Sequence, residues 1–485
     1  MPHKKHQTHR PLRVLLMAMP DVASSFDRFM RFPNLAICSL AANVDDAEVG
    51  TLDLVLHATA VGDAVRTQVA QFQPDLVGLS AMTFQYPTAC EVARIVKSVK
   101  PDTQIVLGGY HATLAYAQIA DDPQAECIDF LIRGEGEVPL NHLVTALNNA
   151  QPTELAQISG LSYRSANGFT HNPPAPVTDL ARIKRPNRQA RLATGFHYFG
   201  RPFDVVETSR GCPRGCRFCC IRKMYGDVHR EYSIDRVIND IRDARDAGAR
   251  GIFFSDDNIN LHPARFRELC RAIIDNGLQD MEYVSQADVA GFARDPELLP
   301  EMRQAGFSGL FLGIESVNPE HWRFLKKSNS WQTTKSVVED IKRQGISVAG
   351  GFILGNPDDD ASTIRSAFRT ARALPIDHAI MWCLTPYPGT DIREELTAEG
   401  LVANSTQFDR YNGFICNVRT RHLAHDQLVR LIATEGLKLY LNPLFALRGN
   451  VWRVSPGVLH AYYATILEFL TKGFRNRLFE SRHRW

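Results

Sequence analysis

What most constrains this chain is an alternation of short apolar runs with amphipathic segments, repeated through two long stretches. In residues 12–147 the runs are LRVLLMAM (12–19), LDLVL (52–56), DLVGLSAM (75–82), QIVLGG (104–109) and IDFLIRG (128–134). Continuous apolar runs of this length read as strands covered on both faces. The segments between them, such as PTACEVARIVKSVK (87–100) opened by Pro87, read as crossover helices. That alternation predicts a doubly wound parallel α/β sheet over 12–150, whose ligands lie beyond the carboxyl ends of its strands. Three of those ends carry SAMTFQYP, GGYHAT and RGEGE. Glycine there either makes a tight strand-to-helix turn or lets the backbone approach a ligand, and three such loops at one sheet edge favour the ligand.

Residues 151–200 break the pattern. NGFTHNPPAPVTD and RIKRPNRQARLATG are rich in proline, asparagine and arginine and read as a surface linker. A second series follows: FDVVETS (203–209), GIFFS (251–255), EYVSQ (282–286), GLFLGIES (309–316), VAGGFILG (348–355) and HAIMWCLTP (378–386). Its helices show their caps. One runs from Ser233 to Gly248 with Val237, Ile238 and Ile241 on one face; others stop at Gly306 and Gly345. Six β–α units predict a parallel barrel or part of one over 201–400, with reactive residues just after the strands.

The ends leave both patterns. Residues 1–11 read as a polar, solvated arm that includes His3, His6 and His9. Residues 401–485 read as mostly helical, and VLHAYYATILEFLTKGFRNRLF puts Leu459, Tyr463, Ile466, Leu470 and Phe474 on one face beside Lys472, Arg475 and Arg477. Such a helix closes the barrel's open side, makes a dimer, or lies on an anionic membrane surface.

The chain of 485 residues has a net charge of +2, which gives no case for bulk nucleic-acid binding. No apolar h-region follows the first residues, and no run approaches the ~18 residues a membrane span needs. The expected address is cytoplasmic, where thiols stay reduced and clustered cysteines hold metal. SRGCPRGCRFCC places Cys212, Cys216 and Cys219 at CxxxCxxC on the loop after the first strand of the second series. Structural zinc sites and iron–sulfur clusters usually close with four protein ligands, so three thiols leave one metal position for something else. The alternative is a zinc site completed by His229, and the loop's place at the reactive end of the strands favours the open site. Cys220 falls outside the spacing and reads as packing, as do Cys38, Cys90, Cys127, Cys270 and Cys383 in their apolar patterns. Cys416 stands between packing and a substrate-side thiol.

With aromatic Phe218 just before the third cysteine, this motif resembles the signature of radical S-adenosylmethionine (SAM) enzymes. FFSDDNINL, GLFLGIES, GGFILGNPDDD and TPYPGT are similar to later parts of the same core. The resemblance implies a partial (β/α)6 TIM-type barrel in which Cys212, Cys216 and Cys219 hold a [4Fe–4S] cluster and SAM chelates the fourth iron. It also implies that Phe218, Asp257, Asn258, Gln286 and Glu315 contact SAM. Taken alone, the two carboxylates read equally well as a barrel-mouth ion pair or helix cap.

The first series, with its SAMTFQYP, GGYHAT and RGEGE loops ahead of that core, resembles the cobalamin-binding radical SAM class. That class contains the anaerobic magnesium-protoporphyrin monomethyl ester cyclases and methylases of unactivated carbons. It implies a Rossmann-like cobalamin-binding domain in which Ser80, Met82 and Thr83 lie beside the corrin ring and Gly108, Gly109, Gly134 and Glu135 hold the nucleotide tail. One departure matters: Asp53 is followed by LVLHATAVG, so His57 does not fit the DxHxxG spacing of a cobalt-ligating histidine. The expectation is cobalamin with no protein histidine on cobalt, and His111 as a packing or hydrogen-bonding residue.

The class implies a reaction in which SAM is cleaved reductively and the resulting 5′-deoxyadenosyl radical leads to methylation of an unactivated carbon of a small metabolite, which the C-terminal helix would make lipid-like or a pigment. Cobalamin-assisted oxidative cyclisation or ring rearrangement is the near alternative, and a non-catalytic cobalamin or redox sensor with structural zinc the distant one. A tRNA methylthiotransferase needs three more clustered cysteines, and Cys38, Cys90 and Cys127 are scattered. The expected partners are the substrate and an external one-electron donor such as flavodoxin or ferredoxin, with no nucleic acid.

Overall fold

Strands β1 (Leu12–Ala18), β2 (Ala47–Asp53), β3 (Leu76–Ser80), β4 (Gln104–Gly108) and β5 (Phe130–Ile132) form where the first series of apolar runs placed them, within a few residues. The computed structural model describes residues 10–20, 30–149, 152–166, 168–316, 318–327 and 330–442. Among the described residues the chain divides into two units, one holding residues 10–20 and 34–194, the other beginning at Gly195 and taking in residues 30–33. The basic helix read in 458–479 and the arm before residue 10 lie outside the described residues. Among the described residues no helix is long and apolar enough to cross a membrane.

In the first unit the strand order is β2-β1-β3-β4-β5, all parallel. The chain steps from β1 to one side and then to the other, so the switch point lies between β1 and β3, where such sheets open a crevice. Val14 to Ala18 of β1 are buried on both faces, as a sheet sandwiched by helices requires. The helix Tyr86–Val99 has Pro87 in its first turn and buries Ala89, Cys90, Val92, Ala93 and Val96.

Two stretches differ from the sequence reading. LDLVL is not a strand throughout: Asp53 ends β2, its carboxylate accepts the Val55 N–H at 3.2 Å, and Leu54–His57 become a 3-10 turn. Part of the expected linker is also sheet. Leu161–Ser165 (β6) pairs antiparallel with β5 and Gly168–His171 (β7) with β6. Both are short and half exposed. An edge hairpin of that kind carries no continuous apolar run to mark it.

The second unit holds β8 (Arg201–Val206), β9 (Gly251–Phe254), β10 (Glu282–Asp288), β11 (Phe307–Glu315), β12 (Ser347–Leu354) and β13 (His378–Cys383). These six are parallel and lie side by side in chain order, forming a sheet that curls into a half-barrel. His197–Tyr198 and Met30–Arg31 extend its β8 edge antiparallel. The helix Ile234–Asp246 begins where Ser233 accepts the Arg236 N–H and turns Val237, Ile238 and Ile241 inward. Beneath it Phe254, Tyr283 and Phe307 pack ring on ring at 5.4–5.8 Å. His425–Tyr440 is the described helix of the C-terminal region, and Tyr440 donates to the Ala379 carbonyl at 2.7 Å.

Candidate active site

The cysteine loop is anchored before it begins. Asp256, just past β9 and only 1% exposed, accepts from Thr208 N at 3.1 Å, Thr208 Oγ1 at 2.7 Å and Ser209 Oγ at 2.5 Å. Ser209–Arg210 then pairs antiparallel with Arg230–Glu231, so the loop is closed at its base like a purse. Gly211 takes φ +82°, and a Cβ there would stand 2.3 Å from the Val228 carbonyl oxygen; only glycine fits.

Inside that ring Cys212, Cys216 and Cys219 line one cavity of about 370 Å³ together with Phe218, Asp257, Asn258, Gln286 and Glu315. Every residue assigned from the sequence to the cluster or to SAM is thus on one cavity wall. Burial raises all three thiols, Cys219 to about 12, so a bound metal must displace protons. Cys220 does not line the cavity; it precedes the helix Ile221–Tyr225, and burial raises its thiol as well. The histidine needed for a closed zinc site is elsewhere: His229 turns Nδ1 to the Gly211 carbonyl at 2.9 Å and does not line the cavity.

Beside the thiols the wall is polar. Burial lifts Asp257 to about 7, with Glu207 and Asp256 adding to the effect. Asn258 donates to Asp288 Oδ2 at 3.0 Å, while its own buried Oδ1 receives no donor from the protein. A buried acceptor of this kind calls for an N–H from a ligand. Three convergent thiols, a carboxylate and an amide oxygen fit a thiolate-held cluster with an ammonium-bearing ligand beside it. The lining also includes the apolar and aromatic residues Phe311, Trp382, Leu384 and Tyr387, and Trp382 rests on Phe414 at 4.4 Å.

Sequence reasoning offered an ion pair for Glu315 without its partner and missed the pair between Arg214 and Asp288. Arg214, inside the cysteine motif, reaches Asp288 at 2.7 Å, and Lys327 pairs with Glu315 at 3.1 Å, each of the latter 11% exposed. Burial alone would lower the Lys327 ammonium, but Glu315, Cys216 and Asp288 outweigh it and raise it. Glu315 sits at φ +62°, a strained place for a non-glycine residue. The charge of Arg214 within CPRGC was a usable signal; Lys327 in FLKKSNS had none. Cys383 lines the cavity, whereas Cys416 is buried behind it and donates to the Val418 carbonyl at 3.3 Å.

In the first unit, Ser80 and Gly108 are register partners at the ends of β3 and β4. Gly109, at φ +92°, passes so close that a Cβ would lie 2.8 Å from the Ala81 carbonyl oxygen. Met82 is 40% exposed and its N–H is held by Gln85 at 2.9 Å, while Thr83 is buried beneath it. Gly134 joins the same edge through the Thr113 hydroxyl at 2.9 Å. Glu135 is engaged within the protein, accepting the Thr178 N–H at 3.1 Å. His111 is fully buried and packs on the Tyr86 ring at 4.3 Å; His57 ends the 3-10 turn beyond β2.

Comparison with known proteins agrees with both halves. The family model of the radical SAM superfamily matches residues 206–371, and that of the B12 binding domain matches residues 28–144. An uncharacterized methyltransferase of Pyrococcus horikoshii is 29% identical over 461 residues, covering 93% of this chain and 98% of its own. The anaerobic magnesium-protoporphyrin IX monomethyl ester cyclase of Rubrivivax gelatinosus is 28% identical over 79% of this chain and 69% of its own. The hopanoid C-3 methylase of Methylococcus capsulatus is 26% identical over 75% and 68% respectively. The solved radical SAM methyltransferase TsrM from Kitasatospora setae, with cobalamin and a [4Fe-4S] cluster bound, shares the fold at a TM-score of 0.67 and 20% identity, covering 82% of this chain and 76% of that one.

Proposed function

The chain is a cobalamin-binding radical SAM protein, carrying a B12-binding domain and a radical SAM domain, and from that premise we propose that it methylates an unactivated carbon of a small, largely apolar metabolite. The observation that carries this reading is the single cavity lined by the three thiols, by polar Asp257, Asn258, Gln286 and Glu315, and by aromatic Phe218, Phe311, Trp382 and Tyr387. When bound, a cluster with SAM on its open iron supplies a 5′-deoxyadenosyl radical, and methylcobalamin supplies a methyl group. Cys212, Cys216 and Cys219 hold the cluster; Asp257 and Asn258 accept from SAM's ammonium, and Gln286 and Glu315 take its other polar groups. Lys327 holds Glu315 in place through their ion pair. Phe218, Trp382, Leu384 and Tyr387 exclude water and give an apolar substrate its contact area.

In the first unit, Ser80, Met82 and Thr83 would lie at the corrin and Gly108, Gly109 and Gly134 would hold the tail. No protein histidine would be needed on cobalt: His111 is fully buried against the Tyr86 ring, and His57 lacks the spacing. The electron donor is a flavodoxin or ferredoxin. A second reading, oxidative cyclisation, is favoured by the cyclase relative and uses the same cofactor residues.

The test is anaerobic reconstitution with iron, sulfide and hydroxocobalamin, then metal analysis and incubation with SAM. About four irons and one cobalt per chain, with 5′-deoxyadenosine release that Cys216→Ala abolishes, is the expected result. Transfer of label from deuterated SAM methyl into the product separates methylation from cyclisation. Zinc without iron would overturn both readings.

A further inference from the structure

A second side-chain cluster lies outside the cavity, at the base of the cysteine loop. His229 and Glu231 stand at the return strand Arg230–Glu231, and His262 precedes the helix Pro263–Asp275. Glu231 Oε1 is 2.9 Å from His262 Nδ1 and 3.3 Å from His229 Nε2, and the ligand atoms of all three lie within 4.8 Å of one another. Glu231 Oε2 takes Arg265 Nε at 3.1 Å, which fixes the carboxylate with Oε1 toward the imidazoles. Ligand atoms about 2.0–2.1 Å from a tetrahedral ion stand about 3.3 Å apart, the separation of His229 Nε2 from Glu231 Oε1, and the other pairs lie within 4.8 Å.

Hydrogen bonding alone explains the contact at His262, whose Nδ1 donates to the carboxylate. At His229 the Gly211 carbonyl, 2.9 Å from Nδ1, can only accept, so Nδ1 is the donor there and Nε2 is the atom turned to Glu231 Oε1 at 3.3 Å. The His229 side chain is 8% exposed, so Nε2 meets the carboxylate from a largely enclosed position. Its Nδ1–H to carbonyl bond is the kind that orients a metal-binding histidine. Glu231 and His262, 31% and 58% exposed, leave an entry path and a fourth position for water.

We propose that His229, Glu231 and His262 bind a divalent cation of the zinc type, at a site separate from the cysteines. Two imidazoles and one carboxylate with an open position suit that ion. The ion ties the return strand of the cysteine loop to the segment that follows Asp257 and Asn258, so it braces the cavity from outside. The proposal does not depend on the reaction assigned above.

The full-length, iron-loaded chain is equilibrated anaerobically with Zn²⁺, desalted, and its zinc and iron are counted, alongside a His229→Gln/His262→Gln variant. The expected result is about one zinc per chain more in the parent than in the variant, with nitrogen and oxygen neighbours only in zinc-edge X-ray absorption. Glu231→Gln, a smaller change, should weaken zinc retention by about tenfold and serves if the double variant loses its iron. No zinc retained, equal zinc in parent and variants, or sulfur neighbours around zinc would each overturn the proposal.

Discussion

Adding one methyl group at Gly211 has nowhere to put it, since the Cβ would fall 2.3 Å from the Val228 carbonyl oxygen at a φ of +82°. Gly211→Ala must therefore shift the loop that spaces the three thiols, at a cost of about 1–3 kcal/mol. Iron retained after reconstitution should drop to less than half while circular dichroism stays unchanged; full retention would mean the loop yields elsewhere. His111 makes a different single-residue prediction. Burial pushes its imidazole down from 6.5 to about 3. Between those values the unfolded chain binds the proton and the folded chain does not. Stability is thus intact above pH 6.5 and is lost as pH falls, by about 1.4 kcal/mol per unit. Unfolding free energies from denaturant titration at about pH 5 and about pH 7.5 should differ less in His111→Gln than in the parent, by about 2 kcal/mol. Equal differences would assign the acid sensitivity to other groups.

Among elements, the end of β10 joins most. The Asp288 carboxylate takes Arg214 at 2.7 Å, Asn258 Nδ2 at 3.0 Å and the Gly291 N–H at 2.7 Å, uniting the cysteine loop, the loop after β9 and the next helix. Asp288→Ala leaves Arg214 without its carboxylate and should cost about 3 kcal/mol, with weaker iron binding. Asp288→Asn, which keeps an acceptor for Gly291, should recover part of the stability but not the Arg214 tether; thermal unfolding and iron content read the two separately. This hub was illegible in the sequence because Arg214 and Asp288 are far apart along the chain and only the sheet brings them together. The strands were legible for the opposite reason. β1, β3 and β4 are buried through most of their length and so are written as continuous apolar runs, while β11 and β13 alternate buried and half-exposed residues yet keep apolar side chains on both sides. The hairpin β6–β7 lies at an edge, half exposed, and leaves no such mark. The spacing of Cys212, Cys216 and Cys219 is local and so could be read from the sequence, whereas Asp257 and Asn258 were drawn from the family resemblance; the structure puts all five on one cavity.

For the molecule as a whole, two cofactor sites on two units should fail one at a time. Gly109→Val drives a branched side chain against the Ala81 carbonyl and should strip cobalamin while leaving iron in place. Cobalt and iron counts on one preparation test this; joint loss would show that the two sites are not independent. The two sheets also differ in how they are wound, one reversing at β1 and the other advancing strand by strand. One short strand belongs to neither sequence of events. Met30–Arg31 is synthesised right after β1, yet its partner in the sheet is His197–Tyr198. During translation it must wait, unpaired, while the rest of the first unit is made and folds. The later unit therefore depends on a piece of chain that leaves the ribosome early, and the boundary between the units is crossed in time before it is reached in sequence.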